Sequence, residues 1–593
     1  YQPDWLDSDW LLNIHGSRVD QLATVGQPIG TSGNEFGART KANYTIPEIV
    51  EERRELLDAA LLAAGVPPGP RRRCDNRPGC PEARAQATES ALTTLANRLA
   101  YNRPLDREPW EGDYNLDGHE RQEIWGASLR GEMEIGSLSF STITGFEHYD
   151  RSRIIDADYT SSRVFEFYIE DDAWQVTQDL RFEQALESIP VTWKAGGYAL
   201  AERLDYDQLT DGDGDIPGLF QAYAQETWAF GIYGEAEWAF TDDFELKVGA
   251  RYNWERKYFD ISQIVSPVTA GAGNPTNACT GNENRAAADC DDRTTFSDPT
   301  WVVRLTYHLS ETTQIYTKYT RGWKGAQYNA SDGANRGAFT LAQPETIDAI
   351  ELGFSGNWVD GRVSMNGAFF FYDYQDYQVF LFSNDLNNPP VREVRNASAA
   401  QIYGAEADVR LEPVDRLVGM LRFGWLESKF LDFSDSAIRS ISIPSEINPR
   451  VEIVEVPIDY TGNRLPNTPR FKVSGSVEYT FLLGRAGSIT PRYDFSYTDD
   501  FSFDASKNGR GAPNNRGVFF LPKYAIGQRA YTLHNARLTY RTLDETIEAS
   551  FWVRNLTDLT YKTLAFDASE TGGLVANLVG DPRTYGVSVK LTF

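Results

Sequence analysis

The sequence is poor in the side chains that most often carry chemistry. It has 4 cysteines, 5 histidines and 3 methionines among 593 residues. The histidines (His15, His119, His148, His308, His534) are far apart, and no H-E-x-x-H, G-x-S-x-G or Walker motif occurs, so zinc-protease, serine-hydrolase and nucleotide-hydrolysing mechanisms have nothing to stand on. Long apolar runs are also missing. Without a stretch of about 18 apolar residues no transmembrane helix is expected, but a membrane barrel, whose hydropathy signal is weak, is not excluded. Positive charge is in deficit, with 57 Lys and Arg against 85 Asp and Glu, a net charge of -28. Such a balance argues against a nucleic-acid partner.

What is abundant is aromatic. There are 30 Tyr, 32 Phe and 14 Trp, a composition suited to a protein with two lipid–water boundaries to anchor. The hydrophobic share of 41% does not suggest disorder. The last segment alternates: Tyr585, Val587, Val589, Leu591 and Phe593 fall on one side, and Thr584, Gly586, Ser588, Lys590 and Thr592 on the other. A half-buried strand of any kind would do this, but a chain that stops on Phe in this pattern ends as outer-membrane barrels usually do. Similar alternation puts Leu246, Val248 and Tyr252 opposite Lys247, Gly249 and Arg251, Tyr493 and Phe495 opposite Arg492 and Asp494, and Phe551 opposite Trp552. These segments read as about ten residues each, the length of a tilted strand crossing a bilayer.

Connections alternate as well. Short turns are expected near 134–137, 186–190, 240–243, 309–312, 412–416 and 483–487. Long loops are expected near 150–173, 204–225, 260–299, 325–343, 431–467, 499–524 and 557–582. With Phe593 in the periplasm, every long loop lies outside the cell. The expected fold is therefore all-β: a transmembrane antiparallel β-barrel of about 18 strands occupying residues 1–593, the first near Trp10–Val19. Residues 20–120 form an extracellular excursion within it, with two helices expected, over 47–65 and 82–100.

The cysteines fall in two close pairs, Cys74 with Cys80 and Cys279 with Cys290, each in a Gly/Asn/Asp/Arg-rich stretch. Two loop disulfides fit an oxidising compartment; the alternative, a zinc site of four thiolates, lacks any C-x2-C spacing. Asp211, Asp213 and Asp215 alternate with glycines in an expected external loop. They could wrap calcium as a loop ligand, and an acidic solvated turn is the competing reading. No other cofactor is expected. Tyr372, Tyr374, Tyr377, Phe380 and Phe382 are expected to flank a strand end as girdle residues.

Several blocks resemble those of TonB-dependent outer-membrane receptors. Val553–Tyr561, centred on Asn555-Leu-Thr-Asp, resembles the family's penultimate-strand signature. Tyr316–Gly325 with Pro344–Gly353 resembles its mid-barrel block, and Thr177–Arg181, Ile402–Glu406 and Leu465–Phe471 resemble further ones. The resemblance implies a 22-stranded barrel, of which this chain supplies the C-terminal eighteen strands, and an N-terminal plug that is not found here. It implies an outer-membrane transporter, not an enzyme, importing a scarce nutrient of the siderophore-iron, haem, cobalamin or glycan class. The implied partners are the nutrient ligand, the TonB complex acting through the missing plug, outer-membrane lipid and lipopolysaccharide, and the barrel-insertion machinery, which would read Tyr585 and Phe593. Plug and first strands are expected on adjoining sequence; a split receptor and a plugless porin are the alternatives. A barrel that anchors a surface attachment module and a soluble secreted β-enzyme are the readings from other classes.

Overall fold

The computed structural model describes residues 7–22, 27–28, 115–157, 165–212, 218–266, 276–277, 291–330, 339–383, 391–443, 450–505, 524–568 and 574–592. Eighteen strands form one wall. They are β1 (Asp7–Leu22), β2 (His119–Ile135), β3 (Leu138–Asp156), β4 (Phe165–Ala185), β5 (Val191–Gly212), β6 (Gly218–Ala239), β7 (Phe244–Ser266), β8 (Asp291–Ser310) and β9 (Thr313–Lys324). Then come β10 (Glu345–Trp358), β11 (Val363–Ser383), β12 (Val391–Val414), β13 (Leu417–Asp432), β14 (Phe471–Tyr479), β15 (Ser488–Thr498), β16 (Tyr531–Arg541), β17 (Ile547–Arg554) and β18 (Thr584–Leu591). Each pairs antiparallel with the next in sequence. Two two-residue strands, Thr276–Asn277 and Phe481–Leu482, bring the sheet to twenty. Among the described residues β1 and β18 do not pair with one another, so each keeps an unpaired backbone edge.

Short turns sit at one end of the wall, as expected, and two more join them at 359–362 and 542–546. Every longer connection lies at the other end. The expected strand length was too small. β3 to β8 run for 19, 21, 22, 22, 23 and 20 residues, and β11 and β12 for 21 and 24. Their outer halves occupy much of what alternation alone assigns to loops. Alternation fails there because both faces of a strand above the membrane are wet, so nothing forces a period of two. The other side of the wall is low: β14 to β18 have only 9, 11, 11, 8 and 8 residues.

The apolar face carries its own ruler. Trp228 and Trp238 stand ten residues apart on the outer face of β6, both 47% exposed. Phe244 and Trp254 repeat the interval on β7. A strand tilted by roughly 40° climbs about 2.5 Å per residue, so ten residues span about 25 Å, the height of a barrel's apolar band. Ile232, Val248, Ile350, Leu352, Phe369, Val477, Leu538 and Phe551 lie exposed on this face. Such a surface is stable only where hydrocarbon covers it.

Tyr372, Tyr374 and Tyr377 do not flank a strand end; they lie within β11. Tyr374 and Tyr377 pack instead on a small core outside the membrane made by Val379, Leu381, Ala397, Ala400, Phe430, Phe433, Leu465 and Ala505. The expected helices over 47–65 and 82–100 lie outside the described residues, as do the four cysteines. Within the expected excursion, residues 20–22 belong to β1 and 119–120 to β2.

Candidate functional site: the charged inner wall and its strap

Register decides which side chains share the inner face. Glu237, Lys247, Arg304, Lys318 and Glu351 are successive cross-strand partners on β6, β7, β8, β9 and β10. Three cations therefore stand side by side between two carboxylates. Lys247 is held by Glu235 at 2.6 Å and Glu237 at 3.0 Å, and Lys318 by Glu351 at 3.0 Å. Among the described residues Arg304 has no carboxylate of its own: its guanidinium lies 4.2 Å over the Tyr316 ring, and its Nε has no hydrogen-bond partner there. Like charges placed opposite one another destabilise a sheet. This row is the kind of arrangement that folding alone does not favour.

One row higher the wall opens into an alcove of about 510 Å³. Arg181 donates from Nε to the Tyr233 hydroxyl at 3.3 Å, and Arg251 lies over the Tyr198 and Tyr233 rings at 5.6 and 5.9 Å. A second alcove of about 470 Å³ sits on the low side. There Arg537 donates to Ser550 Oγ at 2.9 Å and Arg554 lies 5.1 Å over Trp552. Arg321 and Arg492, which also line the alcoves, are paired with Asp348 at 3.0 Å and Asp494 at 2.7 Å, but among the described residues Arg181, Arg251, Arg537 and Arg554 meet aromatic, amide or hydroxyl groups in place of carboxylates, and keep charge available to whatever fills the lumen.

The mouth is narrowed by the connection between β9 and β10. These strands have 12 and 14 residues, between taller neighbours, and the notch they leave is filled by their own loop. A hairpin pairs Gln327–Asn329 with Thr340–Ala342. On one side Lys257 donates to the Ala326 carbonyl at 2.7 Å, Gln221 to the Ala330 carbonyl, and Tyr328 to Asp292 at 2.9 Å. Tyr328 also stacks on Phe259 at 4.7 Å. On the other side Asn329 grips both backbone groups of Val394 at 2.8 Å, and Gln378 donates to the carbonyls of Gly325 and Gln343 at 2.9 Å. The segment is a strap across the inner faces of β6 to β8, pinned to β11 and β12. Gly325 allows it to come so close: a Cβ there would lie 2.3 Å from Glu255 Oε1.

Behind the strap Arg151 clasps the buried carboxylate of Asp171 at 2.8 to 3.1 Å. Tyr206 stacks on Tyr223 at 4.6 Å, and Tyr223 meets Phe259 at 5.4 Å. Burial pushes the Tyr206 hydroxyl up to about 12 and raises that of Tyr223 further. Both phenols therefore stay neutral donors at any physiological pH.

The signature at Asn555 builds a knot at the outer end of β17. Asn555 is left-handed (φ 48°), donates from Nδ2 to the carbonyls of Leu559 (2.8 Å) and Asp581 (3.2 Å), and accepts from the Leu559 N–H at 2.9 Å. Asp558 accepts from the Arg583 N–H at 2.9 Å. Tyr561 stacks on Tyr531 at 5.1 Å and covers Gly580, where a Cβ would fall 2.1 Å from the ring. The motif is structural: it ties the last loop to β18.

Of the residues expected to act, Tyr585 is found on the outer face, 73% exposed, and Phe593 lies outside the described residues. Asp211 is near the end of β5, its backbone paired with Glu166; Asp213 and Asp215 lie outside the described residues, as do Cys74, Cys80, Cys279 and Cys290. No group of three His, Cys, Asp or Glu poised for a metal occurs among the described residues. The alcoves and the strap were missed. Alternation could have placed Arg181 on the inner face beside Arg251, but nothing in a polar loop announces that it folds inward.

The wall has known counterparts. The chain is 23% identical over 518 residues to the pesticin receptor of Yersinia pestis, covering 86% of this chain and 64% of that protein. It is 23% identical over 366 residues to a ferric-pyoverdine receptor of a Pseudomonas strain, covering 61% and 36%. This chain thus spans less than two thirds of the length of these relatives. The crystal structure of the ferric yersiniabactin uptake receptor of Yersinia pestis superposes with a TM-score of 0.61 at 18% identity, over 81% of this chain and 62% of that one. The ferric-catecholate import receptor of E. coli K12 superposes at 0.60 and 15% identity, over 100% and 76%. Short turns at one end and long connections at the other are the arrangement of an outer-membrane barrel, which places the tall end of the wall outside the cell. The family described as TonB dependent receptor-like, beta-barrel matches residues 77–556, and the chain belongs to it.

Proposed function

We propose that this chain is the barrel of an energised outer-membrane transporter that admits a metal chelate of the siderophore type. Its counterparts in sequence and fold include receptors whose names specify ferric siderophores or pesticin. The observation that carries the reading is the inner wall. Beside ion-paired groups, its cation row and two alcoves hold guanidinium groups (Arg304, Arg181, Arg251, Arg537 and Arg554) that no carboxylate pairs with among the described residues, where an anionic chelate and a lumen-filling plug domain can both be met. Haem, cobalamin and glycans remain in the wider class of cargo. The TonB complex would act through that plug, supplied by sequence outside these residues or by a second chain.

The passive-porin alternative requires β1 to pair with β18, and among the described residues it does not. β1 leaves the short-turn end and β18 returns to it. Any strands bridging them in an antiparallel barrel must therefore be even in number. An open sheet edge is not viable in lipid, so such strands are part of the proposal.

The test is uptake. Cells lacking the gene, grown under iron limitation, should lose accumulation of one iron chelate from a panel and regain it on complementation only when the TonB complex is intact. Accumulation that persists without the TonB complex, together with steady ion conductance in planar bilayers, would replace the transporter with the porin. Tyr585 and Phe593 are assigned to the insertion signal, and a variant lacking Phe593 should reach the outer membrane in lower yield.

A further inference from the structure

The outer face of β6 to β8 carries a feature that transport does not require. Directly above Trp254, the top of the apolar band on β7, stands Arg256, whose guanidinium lies 5.1 Å over the Trp254 ring. Trp228 of β6 is its cross-strand partner and is 47% exposed. On β8 the same face presents Arg293, opposite Tyr258 and so diagonal to Arg256. Diagonal neighbours on one face of a sheet are within about 8 Å, a separation that two guanidinium groups can bridge onto one anion. Among the described residues neither guanidinium forms an ion pair, and Arg256 Nε, shielded from solvent, has no hydrogen-bond partner.

The neighbouring cation behaves differently. Arg203, on the same face one strand beyond, is saturated by Asp205 at 2.8 Å and Glu226 at 2.7 Å. One step further from the membrane Asp260 and Asp291 stand opposite each other. An anion is therefore repelled from above and drawn to the slot between Arg256 and Arg293. Arg256 is two residues above Trp254, so the slot is about 5 Å beyond the hydrocarbon boundary, at headgroup height. The aromatic floor below it is what an acyl-bearing ligand needs, and a soluble anion does not.

We infer that Arg256 and Arg293, floored by Trp228 and Trp254, form a docking site for a phosphate of the outer-leaflet glycolipid. The site faces lipid and not the lumen, so it rests on the barrel's place in the outer membrane and is independent of which cargo is carried.

The purified full chain would be incubated in detergent with diphosphorylated lipid A or with the same lipid stripped of its phosphates, and bound lipid counted by native mass spectrometry. The wild type should retain the phosphorylated form at least about tenfold better, each charge-assisted contact being worth about that factor. R256Q/R293Q should abolish that preference, R256K/R293K should keep part of it, and R203Q should leave it intact. Equal retention of the two lipids by the wild type would overturn the site, as would a preference that survives R256Q/R293Q. If that double variant does not assemble, the comparison of lipids on the wild type and R203Q decides alone. Iron-chelate uptake by R256Q/R293Q should be unchanged, which separates this site from the transport reading.

Discussion

Replacing Ile232 with arginine tests the claim on which the fold depends, that lipid wets the outer face. Ile232 is 70% exposed, four residues below Trp228 and six above Trp238. At about 2.5 Å of rise per residue it lies about 10 Å below the upper boundary and about 15 Å above the lower one, close to mid-bilayer. An arginine on the lipid face at that depth costs about 2–4 kcal/mol. The control is Thr177→Arg on the inner face of β4, at nearly the same height, with Asp179 on the same face two residues on. There the new charge meets water and a carboxylate, and the expected cost is below about 1 kcal/mol. Both variants would be unfolded with guanidinium from phospholipid vesicles and followed by heat-modifiable gel migration. Equal costs, or a larger one for Thr177→Arg, would mean that the faces are reversed or that neither meets hydrocarbon, and the barrel reading would fall.

Other perturbations probe the site and the loops. Arg304→Gln removes the middle charge of a like-charged row; stability should hold or rise by up to about 1 kcal/mol while chelate uptake falls, and a loss above about 2 kcal/mol in the same unfolding assay would show the row to be structural. Asn555→Ala removes the bonds that tie the last loop, at a cost of about 2–4 kcal/mol, seen as proteolytic cleavage within 555–583; Asn555→Gly restores the backbone freedom but not the bonds and should rescue little. Lys562, in the apical strand Lys562–Ala568, is buried and donates to the carbonyls of Tyr524 and Ala525; burial, helped by Arg529, pushes its ammonium down to about 7. Its folded pKa is below the unfolded value, so between about 7 and 10.5 the opened hairpin binds more protons and docking strengthens as pH rises, by about 3 kcal/mol at most at pH 9. Amide exchange over 562–568, corrected for intrinsic rate, should slow accordingly, and Lys562→Met should flatten the trend.

The strand count was legible in the sequence because a membrane imposes a strict rule. Between the girdles every second residue must be apolar, so Phe551 against Ser550 and Val248 against Lys247 mark the faces without help from structure. Above the girdle the rule lapses. Val391–Ala400 and Phe165–Asp172 alternate in no useful way, yet both pair fully with a neighbour. Their strands are specified by backbone hydrogen bonds to tall partners, a property of pairs that a single segment cannot display. The hairpin of Ser434–Ile443 with Arg450–Asp459 was read as loop for the same reason.

The site divides along similar lines. Alternation shows that Lys247 faces inward, but only the register across three strands shows that Lys247, Arg304 and Lys318 stand in one row. One residue of slip would send Arg304 to the lipid and dissolve the row, so the charge pattern is itself evidence for the pairing. The strap is specified by still less sequence: Gly325 for close approach, Asn329 to mimic a strand edge against Val394, and Gln378 to donate to the carbonyls at both ends of the loop. Amides suit this work because they stay neutral, so on the side of β11 and β12 the loop is pinned without a charge that would compete for an anionic ligand; on the other side Lys257 and Asp292 share the task with Gln221. Guanidinium groups are reserved for the wall beneath it. On the β11 and β12 side the mouth therefore holds its shape through neutral contacts, which is why exchanging Asn329 for Asp should disorder the strap and weaken ligand binding even though it adds no bulk.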